Sequence, residues 1–205
     1  MTQPLIIGLT GGIGSGKTAA SDWFALQGIS IVDTDVIART VVEPHQAAWH
    51  DIVQYFGSDI LNTDQTLNRA ALRQQVFRDV SARQQLEAFT HPRIRELMLT
   101  QLHAAQSPYV MLVSPLLLES NQHEWVDRVL LIDVPEAVQQ QRAAQRDGQS
   151  AADIARIMAA QLPRHERQQR AHDIVNNQYD LGALYTQLQP LHQQYLALAK
   201  HSASL

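Results

Sequence analysis

The sequence predicts an α/β fold in which five short parallel strands form a sheet flanked by helices. Three observations predict it. Three short apolar runs, Leu5 to Leu9, Tyr109 to Val113 and Val129 to Asp133, are of the kind that a strand buried on both faces carries, and Ile29 to Val32 and Asp173 to Asn177 read as two further short strands. Helical patterns separate them, which is the alternation that builds a parallel sheet. A glycine-rich segment joins the first run to the first helix.

Taken in order, Leu5-Ile6-Ile7-Gly8-Leu9 is the first strand, followed by a helix from about Lys17 to Leu26 with Trp23, Phe24 and Leu26 on its apolar side. Gly28 ends that helix in the usual C-terminal position. Ile29 to Val32 is the second strand, closing on Asp33-Thr34-Asp35. From about Val36 to Gln106 the chain reads as almost wholly helical. One helix opens at Pro44 and ends near Phe56-Gly57, Asn62 to Thr66 is a polar loop, and Leu67-Asn68 leads into a helix carrying Leu72, Val76 and Phe77. His91-Pro92 should interrupt the next helix, because proline suits a first turn and not an interior; a new helix then runs from Pro92 towards Ala105. Tyr109 to Val113 and Val129 to Asp133 are the third and fourth strands, with Ser114 to Glu119 between them. A polar helical region rich in arginine and glutamine spans Pro135 to about Ala171. Asp173 to Asn177 is the last strand and Leu181 to Leu198 a closing amphipathic helix. The helical stretch between the second and third strands is longer than a crossover needs, and predicts a subdomain that helps to form the substrate site.

Composition excludes several classes. At 205 residues the chain is one domain with room for a subdomain. A net charge of −4 gives no electrostatic reason to expect nucleic acid as partner. The absence of cysteine rules out disulfides, zinc-thiolate sites and thiol nucleophiles. Met1-Thr2-Gln3-Pro4 lacks the features of a signal peptide, and no apolar run approaches a bilayer span, so a cytoplasmic protein without membrane attachment is expected. Lysine occurs only at Lys17 and Lys200, and the first of these lies in the glycine-rich segment.

That segment, Gly11-Gly12-Ile13-Gly14-Ser15-Gly16-Lys17-Thr18, satisfies the phosphate-loop pattern and lies between a buried strand and a helix, as that pattern requires. Its glycines let backbone N–H groups approach phosphate oxygens, and the following helix points its positive end at the same anion. Lys17 can reach the β- and γ-phosphates of ATP, and Thr18 offers its hydroxyl to Mg²⁺.

Asp33 and Asp35 follow the second strand at its C-terminal end, where ligands of open α/β sheets lie. Two apart, they point the same way in an extended segment. Two carboxylates beside a nucleotide can divide the work: Asp35 as the base that takes a proton from an attacking hydroxyl, Asp33 as the group that holds Mg²⁺ through water. The alternative is that one of them caps the helix starting near Val36, and Asp35 is well placed for it. Arg142 and Arg146 share a helix face and are candidates for lid arginines that meet charge on the transferred phosphoryl group, although a solvated pair would look the same. Asn177 after the last strand is either a contact to a base edge or a turn asparagine. The pattern lacks a guanine reader, a serine-hydrolase elbow and paired metal histidines, which leaves a small-molecule kinase.

These residues, with others, resemble the dephospho-coenzyme A kinase family over nearly the full length. The matching blocks are Gly8 to Thr18, Val32 to Asp35 with Ala38-Arg39, Phe56-Gly57, Leu67 to Leu72, His91-Pro92, Pro115 to Glu119, Gln141-Arg142 with Arg146-Asp147, and Ala171 to Asn177. The resemblance implies a P-loop kinase core of the nucleoside monophosphate kinase type, at about 1–36, 107–138 and 172–205. It implies a helical CoA-binding subdomain at about 37–106 and a lid region at about 139–171. The implied reaction moves the γ-phosphate of ATP, with Mg²⁺, to the ribose 3′-hydroxyl of dephospho-CoA. Gly11 to Thr18, Arg142, Arg146 and Asn177 would then lie on the ATP side. Thr10, Asp35, Arg39, Arg69, His91, Leu116, Leu117 and Glu119 would lie on the acceptor side. The chain would be a monomer or weak homo-oligomer. It departs from the family pattern at Asp64-Gln65, where Asp-Gly is usual, at Ala171-His172-Asp173, where Ala-Asp-Asp is frequent, and at Tyr179, where glycine is usual.

Overall fold

The computed structural model describes residues 4–147 and 150–202. Met1 to Gln3 of the amino-terminal segment and two residues of the expected lid lie outside these. Strand β1 is Leu5–Thr10, helix α1 Lys17–Leu26, β2 Ser30–Asp33, α2 Thr34–Thr40, α3 Ala47–Phe56, α4 Arg69–Arg78 and α5 Val80–Ala104. Then follow β3 Tyr109–Val113, β4 Arg128–Asp133, α6 Glu136–Asp147, α7 Ala151–Ala159, α8 Arg164–Arg170, β5 Asp173–Asn176 and α9 Leu181–Ser202. The chain divides into two compact units, residues 1–32 with 102–205, and residues 33–101. No helix among the described residues is long and apolar enough to cross a membrane.

The first unit carries the five-stranded parallel sheet that the apolar runs predict, in the order β2-β3-β1-β4-β5. Register sets Ile7 beside Met111, Leu9 beside Leu130 and Ile132 beside Val175. Side chains alternate across a strand, so Ile7, Leu9, Tyr109, Met111, Leu130 and Ile132 face one side. There they pack with Trp23 and Phe24 of α1 and Leu184, Leu188 and Tyr195 of α9. On the other face Gly8 lies against Leu117 and Val126; a methyl built on it would stand 2.6 Å from Leu117 Cδ2.

Leu26 does not join the apolar side of α1 and is 82% exposed. The helix closes instead with Gly28 in the left-handed region (φ 81°), its N–H donating to Ala25 O at 2.9 Å, while Ile29 N–H donates to Phe24 O at 3.1 Å. These two bonds form a Schellman closure, and Ile29 takes the buried apolar place.

In the second unit Ile52, Ile60 and Leu72 form a small core with Phe56, Val76 and Phe89 packed on it. Phe77 is 90% exposed, because Leu72 and Val76 are four apart and the next residue turns off that face. Helix α3 begins at Ala47 and not at Pro44, and the polar loop before α4 is closed by a bridge between Leu61 and Leu67. Gln65, where the family pattern has glycine, stands in the left-handed region (φ 67°), and its carbonyl accepts from Trp49 Nε1 at 2.8 Å. The expected break at His91-Pro92 is absent: α5 continues through Pro92. Proline removes the N–H that would bond to Ala88 O. Side chains support the neighbouring carbonyls, with Thr90 Oγ1 on Leu86 O at 2.8 Å and Arg93 Nη1 on Phe89 O at 2.6 Å. Arg93 also pairs with Asp51 of α3 at 2.7 Å.

Candidate active site

Thr10, buried at the end of β1, delivers the chain into the phosphate loop. The loop is held by a turn from Ser15 N–H to Gly12 O at 3.1 Å, and Lys17 Nζ donates to Gly11 O at 2.8 Å. Gly16 occupies the position before α1 with φ 91°, and no side chain caps the first turn of that helix. The amides at this helix start therefore present a positive end suited to an anion. Asn177 is buried and its Nδ2 donates to Ser15 O at 2.8 Å, with the amide pressed on Gly16 so closely that any Cβ there would collide with it. The Ser15 hydroxyl is buried without a partner, and the Thr18 side chain is exposed.

Side chains from the segment after β4 pack over the loop. Gln139 of α6 is buried, donating to Val134 O at 3.0 Å, while its Oε1 meets Gly12 and has no donor. Gln161 Oε1 accepts the Ile13 N–H at 3.1 Å. Arg167 of α8 is 5% exposed, and its Nη1 stands 2.9 Å from where a methyl on Gly12 would lie. Burial holds the Arg167 guanidinium below its ordinary pKa. Asp133, buried at the end of β4, accepts from Arg164 Nη2 at 2.7 Å and Gln168 Nε2 at 2.8 Å, which anchors α8. That bond raises the Arg164 pKa. Beside these groups lies a cavity of about 350 Å³ lined by Gln139, Met158, Gln161, Pro163 and Arg167, among others.

The other residues expected in this unit have assignable surroundings. Arg142 is half-buried and is held on main-chain carbonyls, with Nη1 on Asn177 O at 2.7 Å and Nη2 on Tyr179 O at 3.4 Å. It is thus tied to the loop after β5 and does not stand as a mobile lid arginine, whereas Arg146 on the same helix is exposed. Asn177 turns its donor to Ser15, so the adenine contact expected of it would have to use its remaining atoms. Leu116 is exposed but Leu117 is fully buried beneath Gly8, which makes it a packing residue and not a lining one. Glu119 Oε1 accepts from Leu162 N–H at 2.8 Å, linking the segment after β3 to the start of α8. His172 replaces a family aspartate with a sheet extension: its N–H donates to Val129 O and its Nδ1 accepts from Val129 N–H, both at 3.0 Å.

In the second unit Asp33, not Asp35, caps α2. Asp33 Oδ1 accepts from Asp35 N–H at 2.8 Å and Val36 N–H at 3.2 Å. The helix begins at Thr34, two residues before the expected start, so Asp35 lies in its first turn and the extended pairing of the two carboxylates does not occur. Asp35 is exposed there. Arg39, Arg69 and Glu43 line a cavity of about 230 Å³ with Val42, Pro44, Thr66 and Leu67. His91 is exposed on α5. Among the described residues no three acidic or histidine side chains cluster as a metal site.

Gln139, Gln161, Asp133 and Arg167 escape sequence reading. The glutamines sit in a helical region full of glutamine, and Arg167 lies among Arg164 and Arg170, so no spacing singles them out. Asp133 carried one signal, as a carboxylate at the end of a buried strand.

A family profile for dephospho-CoA kinase matches residues 5–182. A dephospho-CoA kinase of Acinetobacter baylyi is 57% identical over 191 residues, covering 93% of this chain and 98% of that protein. One of Psychrobacter cryohalolentis is 49% identical over 202 residues, covering 97% and 88%. A Thermus thermophilus protein of solved structure superposes with a TM-score of 0.82 at 29% identity, covering 94% of this chain and 98% of that one. The dephospho-CoA kinase of Campylobacter jejuni superposes at 0.65 with 23% identity and the same coverage, a likeness of fold.

Proposed function

Because the chain belongs to the dephospho-CoA kinase family, we propose that it transfers the γ-phosphate of ATP to the ribose 3′-hydroxyl of dephospho-CoA, giving coenzyme A and ADP. The observation that carries this is the phosphate loop, complete from Gly11 to Thr18 and set between β1 and an uncapped α1, in a chain that matches the family from residue 5 to 182.

The loop amides and the α1 terminus bind the triphosphate, and Lys17 turns from Gly11 O to the phosphates. Asp35, exposed in the first turn of α2, is the base that takes the proton of the acceptor hydroxyl. The cavity of Arg39 and Arg69 suits the acceptor's diphosphate, with two guanidiniums for its charge and Val42, Pro44 and Leu67 for an apolar arm. The family pattern further assigns His91, Leu116 and Glu119 to the acceptor and Arg146 to ATP.

Mg²⁺ fits the oxygen donors present. The Thr18 hydroxyl is exposed, and Asp33 uses Oδ1 for its cap. Such hard donors, few in number, suit an ion that takes most of its ligands from phosphate and water. The ion supplies charge neutralisation at the phosphates; Thr18 would hold it directly and Asp33 through water. The reaction belongs to the cytoplasm, where ATP is available.

An acceptor panel tests the reading. With ATP and Mg²⁺, dephospho-CoA should be phosphorylated far faster than shikimate, gluconate or nucleoside monophosphates. Turnover of another acceptor without turnover of dephospho-CoA would refute it.

A further inference from the structure

Arg167 is a buried guanidinium that makes no direct ion pair among the described residues, although it lies against the phosphate loop. Arg142 is satisfied by two carbonyls and Arg164 by Asp133. Arg167, also buried, has no carboxylate within ion-pair distance among the described residues, and its hydrogen bond is a long one, Nη1 to Gln161 Oε1 at 3.4 Å. Glu119, Asp133 and Glu136 attract it from further off, and of the Glu119 oxygens Oε1 accepts the Leu162 N–H while Oε2 is buried without a hydrogen bond. A buried guanidinium without a paired anion is strongly unfavourable. Perturbed charges gather at functional sites, and this one lies against the phosphate loop at Gly12.

The geometry says what it could do there. Gln161 Oε1 accepts from Arg167 and also from the Ile13 N–H at 3.1 Å. One acceptor position thus bridges a phosphate-loop amide and a buried arginine. The same arginine touches the loop at Gly12, where a side chain would meet both Nη1 and Gln139 Oε1. A phosphate oxygen is a stronger acceptor than a neutral amide oxygen for both donors.

We propose that Arg167 is the phosphate-binding arginine of the nucleotide site, and that an oxygen of the ATP triphosphate displaces Gln161 Oε1 from its place between Arg167 and the Ile13 N–H. This rests on the reading of the chain as an ATP-using kinase. It moves to α8 the role that the sequence suggested for Arg142. Gln161, in the link between α7 and α8, is a competitor for the site and not a ligand of the nucleotide.

The test is calorimetric titration of the full chain with Mg²⁺·ATP, without acceptor, alongside melting of the ligand-free protein. Arg167→Met should bind ATP roughly 10- to 100-fold more weakly, the worth of one charge-assisted hydrogen bond. ATP affinity within threefold of the wild type in Arg167→Met would overturn the proposal. Should Arg167→Met fail to fold, Gln161→Ala decides: it should bind ATP as tightly as the wild type or tighter, and weaker binding would overturn the proposal. The two readings fail separately. ATP binding that depends on Arg167 in a protein that ignores dephospho-CoA refutes only the acceptor. Phosphorylation of dephospho-CoA with ATP affinity indifferent to Arg167 refutes only the arginine.

Discussion

The Nδ2 of Asn177 reaches across 162 positions of sequence to donate to the carbonyl of Ser15 at 2.8 Å. Asn177 follows β5 and Ser15 lies in the phosphate loop, so this bond ties one edge of the sheet to the loop at its centre. It also explains Gly16, which lies beneath the amide and in a backbone region that disfavours any side chain.

Asn177→Ala should therefore loosen the loop. The Ser15 carbonyl loses its donor, a change that costs about 1–3 kcal/mol for a buried group. The expected result is a lower melting temperature and a raised KM for ATP, with KM for dephospho-CoA nearly unchanged. Steady-state kinetics with each substrate varied checks this.

The two aspartates separate by measurement. Asp35→Asn should keep ATP binding yet lower kcat by roughly 10²- to 10⁴-fold, as loss of a general base does. Asp33→Asn keeps an oxygen that can cap α2 and should instead raise the Mg²⁺ concentration needed for half-maximal rate. Rate measurements across a Mg²⁺ series distinguish the two.

Arg39→Ala and Arg69→Ala empty the charged wall of one cavity. Each should raise KM for dephospho-CoA roughly 10-fold or more, as loss of a charge-assisted hydrogen bond does, and leave ATP binding by calorimetry as it was.

Acid stability should report on His192. It is 7% exposed, packs on Trp23 and Phe24, and meets Tyr109 Oη through Nδ1 at 2.7 Å. Burial lowers its pKa below the ordinary 6.5. The unfolded chain therefore binds this proton first as pH falls, and stability drops from about pH 6.5 downwards until the folded form also protonates. Above that point this group adds no slope. Denaturant melts at a series of pH values should show the slope in the wild type and its reduction in His192→Gln, which can accept from Tyr109 without titrating.

The sheet was legible because its signals are local and strong. Buried strands such as Tyr109–Val113 leave continuous apolar runs, and Gly11 to Thr18 has a spacing dictated by phosphate. What failed depends on partners elsewhere in the chain. Leu26 is exposed because Ile29 takes the apolar place at the helix end, and α5 passes through Pro92 because Thr90 and Arg93 serve the carbonyls around it. For Asp33 and Asp35 the geometry turned on where α2 begins, a matter of one cap. Arg167 was invisible for another reason. Its significance lies in its burial against the phosphate loop beside Gln161, and sequence shows which charges exist but not where they pack.

The central claim is the transfer itself, and ³¹P NMR of the product tests it most directly. Incubated with ATP and Mg²⁺, dephospho-CoA should gain a phosphomonoester resonance coupled to the ribose H3′, with ADP formed in equal amount. A phosphate on the 2′-hydroxyl, or ATP consumed with dephospho-CoA recovered intact, would contradict it.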